Sequence, residues 1–274
     1  MPLIRPRDAI VLLAIVGGVV MTGAAHADIV QLYAAGSLRT AFNDVSTAFC
    51  TMFSIAVQAK YGPSGILKDE IAQGAKADVF ASANMMHPQS LADAGKSGPV
   101  VLFARNRLCA LVRPGLPITT ANLLDRMLDL NVKLGTSTPK ADPSGDYALE
   151  VFDKAEALRP GARAVLERKA LQLTGGPSSV QPPAGRNAYA WHVAEGRADI
   201  FLAYCTATRD ALQQHPDQQS VALPDALSVA ADYGLTVING AGPYAQKFAD
   251  YIVSVDGQRI LSSHGFAPSH ERTP

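Results

Sequence analysis

Apolar positions fall into short runs, each followed by a helical stripe. Ile29, Val30, Leu32 and Tyr33 suit a strand buried on both faces, and Leu38, Phe42 and Val45 then share one helical face. A period-two run follows at Ile55, Val57, Ala59 and Tyr61, with a helix starting near Ser64. Residues 77–82 are a further short strand, and a helix runs from about Pro88 to Ala94. This alternation predicts a parallel sheet with helices on both faces, where ligands sit beyond the carboxyl ends of the strands.

The rhythm then changes. Val100 to Phe103 and Leu108 to Val112 read as two strands with no helix between them, ending at Pro114-Gly115, which marks a crossing into a second unit. That unit holds a strand at 132–135, helices at 147–157 and 162–170, a strand at 171–173 and a breaker-rich loop at 175–183 to which the pattern assigns no role. A helix at 187–195, with Ala188, Trp191 and Ala194 on one face, precedes the buried strand 200–204 that carries the chain back. A strand at 233–238 and helices at 244–255 and 258–264 close the chain. Two crossings predict two lobes with a cleft between them: 28–106 together with 206–274 as lobe one, and 107–205 as lobe two.

Three strand-to-helix turns carry the candidate chemistry: Ala35-Gly36-Ser37-Leu38, Gly62-Pro63-Ser64-Gly65 and Asp142-Pro143-Ser144-Gly145. Gly36 allows a backbone angle that other residues avoid, and a serine there can cap the helix whose unpaired N–H groups and dipole favour an anion. One such turn is a common structural cap; three that converge make a pocket of hydroxyls and amides.

Composition narrows the partners. The chain has 274 residues, 48% hydrophobic and 18% charged, with 24 basic and 24 acidic side chains, so nothing suggests nucleic acid or a polybasic membrane patch. Arg5 and Arg7, an apolar run from Ala9 to Met21 and Ala25-His26-Ala27 read as a cleavable export signal at 1–27. Without Arg5, Arg7 and Asp8 the charged residues number 22 basic and 23 acidic, leaving the balance neutral. The His residues and Cys50, Cys109 and Cys205 lack metal-site spacing. Two readings of the cysteines stand: a bridge between Cys109 and Cys205 near the hinge with Cys50 free, or three reduced, buried thiols.

An enzyme is the competing class. Ser137-Thr138-Pro139-Lys140, Ser82-Ala83-Asn84 and Lys96-Ser97-Gly98 resemble the motif set of penicillin-recognising serine enzymes, but in the wrong order. No Gly-x-Ser-x-Gly elbow is present, so a periplasmic serine hydrolase is the weaker reading. A ligand-sensing module is a third reading, without an attached signalling domain to favour it.

On the three serine turns, on 77–83, on 143–148 (Pro-Ser-Gly-Asp-Tyr-Ala), on 198–204 (Ala-Asp-Ile-Phe-Leu-Ala-Tyr) and on the closing 257–266, nearly the whole mature chain resembles the type II periplasmic solute-binding proteins, and most closely the molybdate- and tungstate-binding proteins of ABC importers. The resemblance implies an α/β, two-lobed fold, each lobe a mostly parallel sheet flanked by helices, joined by two hinge strands. It implies a periplasmic, monomeric protein without cofactor or cation, which binds a tetrahedral oxyanion and delivers it to a membrane ABC permease. Carried over residue by residue, the ligand set is Ser37, Ser64, Ser144, Arg186 and Tyr204, with Gly36, Gly65, Asp142 and Gly145 behind it. At Arg186 the family has a small apolar residue or a carboxylate, so this arginine either reaches the anion, pairs with Asp142 or stands on the rim in solvent. Sulfate and phosphate remain alternative ligands, phosphate because its proton suits an acceptor such as Asp142.

Overall fold

The structure, a computed structural model, describes residues 29–269; the expected export signal lies outside them. Strand β1 (Ile29–Ala35) lies between β2 (Ala56–Gly62) and β3 (Val79–Ser82), parallel to both. Helices α1 (Arg39–Phe53), α2 (Ser64–Ala72) and α3 (Met86–Asp93) alternate with these strands, as the apolar pattern requires. The stripe of Leu38, Phe42 and Val45 is fully buried.

Strand β4 (Val101–Val112) is one continuous element where the pattern suggested two. Arg105, Asn106 and Arg107 interrupt the apolar run, but the first two are paired: Arg105 Nε donates to Asp232 at 2.9 Å, and Asn106 Nδ2 donates to the Thr206 hydroxyl at 2.8 Å. Polar residues inside a strand need such partners, and here they mark the place where β4 changes sheets.

Beyond it come α4 (Leu123–Leu128), β5 (Leu134–Ser137), α5 (Pro143–Leu158), α6 (Ala162–Lys169), β6 (Leu171–Thr174), α7 (Ala188–Ala194), β7 (Ile200–Tyr204), α8 (Cys205–Gln214) and β8 (Gln219–Ala222). The chain then returns through β9 (Ala230–Val237) to α9 (Ala245–Val253), α10 (Val255–Ser263) and β10 (Ala267–Pro268). Residues Val101–Arg107 of β4 pair antiparallel with β9 in the first sheet, whereas Leu108–Val112 pair antiparallel with β7 and β8 in the second. Each sheet is parallel away from β4 (β2-β1-β3 and β7-β5-β6) and antiparallel where the crossing strands enter.

Two details differ from the pattern. Strand β8 still belongs to the second sheet, so pairing returns to the first only after Ala222, not at the expected boundary of 205 and 206. On α7 the buried face is Ala190, His192 and Val193; Trp191 lies outside it, covered by the Arg197 guanidinium 4.1 Å from its ring. Cys109 on β4 and Cys205 at the start of α8 form a disulfide with a Cα separation of 4.8 Å, and Cys50 is a free, exposed thiol.

Candidate functional site

The three turns do not cap their helices alike. Ser37 lies in a short 3-10 turn ahead of α1 and Ser64 opens α2, yet neither caps through its side chain. At α5 the cap is Asp142, whose carboxylate accepts the Ser144 amide at 3.1 Å. Gly36 does not adopt a positive φ, so the left-handed geometry expected there is not used.

The Ser37 and Ser64 hydroxyls are engaged elsewhere, and their contacts lead around the cleft. The Ser37 hydroxyl is 2.9 Å from that of Tyr233 on β9. The Tyr233 ring packs 5.6 Å from Tyr204, which in turn lies 6.2 Å from Tyr147 on α5. Tyr147 donates from its hydroxyl to the Ala83 carbonyl at 3.3 Å, and the Ala83 amide donates to the Ser64 hydroxyl at 3.1 Å. Next to Ser64, the Gly65 amide donates to the Ala141 carbonyl at 2.9 Å, beside Asp142 and Ser144. Lobe one thus touches lobe two at both the Ser64 turn and Tyr147.

Only a glycine fits at 65: an added Cβ would stand 2.8 Å from the Ala141 carbonyl oxygen and nearer still to that of Lys140. Gly145 is equally confined, since a Cβ there would stand 2.6 Å from the Ser137 carbonyl oxygen.

Ser144 Oγ and Tyr204 Oη are both buried without a hydrogen-bond partner, their residues 0% and 1% exposed. Such groups cost free energy unless something meets them. Ser64 Oγ uses a lone pair on Ala83, so its proton stays available for donation. Burial drives the Tyr204 and Tyr233 phenols well above their ordinary range, keeping both protonated and able to donate.

Asp142 is the acceptor in this donor-rich place. Burial raises its carboxyl to about 6, against the opposing pull of the Ser144 amide and the Ser137 hydroxyl. Arg186 stands apart: it is exposed, its amide donates to Pro183, and its guanidinium lies 2.9 Å from His215 Nε2, so it meets neither Asp142 nor the cleft hydroxyls.

Tyr147, Tyr233 and Asn106, whose Nδ2 lies 3.4 Å from the Tyr233 hydroxyl, are candidate site residues that the sequence did not single out. A tyrosine in an apolar strand looks like core, although Tyr147 follows directly on the Pro-Ser-Gly-Asp turn. The hydrolase motifs do not assemble: Ser137 Oγ pairs with Thr174 at 2.9 Å, and Ser82 Oγ donates locally to Asn84.

Residues 30–267 match the family model of the bacterial extracellular solute-binding proteins. An uncharacterized protein of Pasteurella multocida is 36% identical over 88% of this chain and 99% of its own length. The molybdate-binding protein ModA of Mycobacterium bovis is 26% identical over 87% of this chain and 84% of its own. Among solved structures, the sulfate-binding protein SubI of Mycobacterium tuberculosis superposes with a TM-score of 0.72 at 19% identity, over 88% of this chain and 87% of that one. The chain belongs to the bacterial extracellular solute-binding proteins and has their two-lobed, type II periplasmic binding fold.

Proposed function

We propose that this chain is the periplasmic substrate-binding component of an ABC importer, and that it closes its cleft on a tetrahedral oxyanion, molybdate or tungstate, for delivery to a membrane permease. The observation that carries the reading is the pair of buried, unpartnered hydroxyls on Ser144 and Tyr204, at a cleft already lined by Ser37 and Ser64. A dianion would accept a hydrogen bond from each of the four. Hydrogen bonds to a charged group net about 1.5–3 kcal/mol each, so four or five supply on the order of 10 kcal/mol. Micromolar binding needs about 8 kcal/mol, and closure and desolvation consume the difference. The ModA relative supports molybdate. Arg186 stays outside this ligand set.

A second reading rests on Asp142. A carboxylate beside the pocket repels a fully ionised anion but accepts from a protonated one, which favours hydrogen phosphate. Calorimetric titration with molybdate, tungstate, sulfate and phosphate separates the readings. Saturable binding led by molybdate or tungstate supports the first, phosphate leading moves the assignment to the second, and no saturable binding of any of the four overturns both.

A further inference from the structure

A second cavity, of about 440 Å³, opens in lobe two between α7 and the breaker-rich loop after β6. Thr138, Leu173, Ser179, Val180, His192 and Arg197 line it, none of them in the cleft set. His192 is 1% exposed, and neither ring nitrogen has a hydrogen-bond partner. Burial and the Arg197 charge push its pKa down, outweighing the nearby Leu173 carbonyl, so the ring is neutral at pH 7. Arg197 lies over Trp191 and forms no ion pair among those of the described residues. A cavity of this size is ample for a small organic molecule.

We propose that this cavity is a second ligand site, taking a small monocarboxylate whose charged end meets Arg197 beside the buried His192 ring and whose aliphatic body lies against Leu173 and Val180. One guanidinium beside one neutral imidazole balances a single negative charge, and the planar fork of Arg197 matches a carboxylate in two parallel hydrogen bonds. A dianion would remain half-compensated there. The loop that forms one wall also abuts Asp142, a Cβ at Gly175 falling 2.5 Å from that of Asp142, so the two sites share a partition and must be told apart experimentally.

Trp191 is the sole tryptophan of the chain and sits beneath Arg197, so its emission is a local reporter. Hexanoate titrated into the purified protein should change that emission saturably. The midpoint should rise about tenfold or more in Arg197→Gln, which loses charged hydrogen bonds. Val180→Phe, an exposed position whose enlargement narrows the cavity without altering charge, should weaken it too, while Ser64→Ala in the cleft should not. Melting curves verify that each variant is folded. The proposal is overturned by an absent saturable response, by a midpoint unmoved in both Arg197→Gln and Val180→Phe, by a response lost only in Ser64→Ala, or by inorganic phosphate binding as tightly as hexanoate.

Discussion

The Gly65 amide donates to the Ala141 carbonyl across the cleft at 2.9 Å, with no room for a side chain at the donor. Gly65→Ala is therefore expected to hold the lobes apart. Overpacking costs about 1–3 kcal/mol, which corresponds to roughly 5- to 150-fold in oxyanion affinity. Small-angle scattering should show the ligand-bound variant less compact than the wild type. Equal affinity and equal dimensions would mean that this contact plays no part in closure.

Ser144→Ala and Tyr204→Phe should move stability and affinity in opposite directions. Each removes a buried hydroxyl with no partner in the protein, so the ligand-free variants should melt no lower than the wild type. Each also removes a donor to the anion, weakening binding by about 1.5–3 kcal/mol, tenfold or more. Arg186→Ala, by contrast, should leave affinity within about twofold, because that side chain faces His215. A loss of stability equal to the loss of affinity in the first two would mark them as packing residues.

Asp142 gives a pH signature. Its folded pKa of about 6 lies above the ordinary 3.8, so between those values the folded protein holds a proton that the unfolded chain has released. This contribution is full below about pH 4 and is lost as pH rises to 6, a swing on the order of 3 kcal/mol. Asp142→Asn keeps a capping side chain and should gain on the wild type across that interval, with a constant difference above it. Molybdate affinity should also fall through pH 6 in the wild type and stay level in the variant. Parallel melting and binding profiles for both proteins would refute the role.

The Cys109–Cys205 bridge closes a segment with a sequence separation of 96. A loop of about that length implies roughly 2–5 kcal/mol of stabilisation through the unfolded chain. Reduction should lower the melting temperature while leaving oxyanion affinity nearly unchanged, since neither sulfur belongs to the cleft set. Thiol counting on unfolded, unreduced protein should find one reactive group, Cys50. Three would exclude the bridge.

The serine turns were legible because glycine and proline punctuate strand ends whatever the tertiary context, and the stripe of Leu38, Phe42 and Val45 because α1 buries a single face. What the pattern concealed depended on distant partners. Strand β8 is largely exposed and has no apolar alternation, so its place on β4 comes from pairing alone. The polar break at Arg105 and Asn106 looked like a loop because Asp232 and Thr206, far along the chain, satisfy it. Trp191 misled about the face of α7, since a neighbouring guanidinium rather than the core covers it.

Because β4 serves both sheets, Tyr233 and Tyr204 flank it at the changeover, one through Ala104 and the other through Leu108. If the lobes swing about this crossing, their hydroxyls should move least, whereas the Ser64 and Ser144 turns should travel farthest. On the proposed function, an arriving anion would meet a standing floor before the walls come in. Capture should depend on that floor and retention on the seam at Gly65. In stopped-flow, Tyr204→Phe should slow association, and Gly65→Ala should speed escape while leaving association almost untouched; the reverse assignment would place the axis elsewhere.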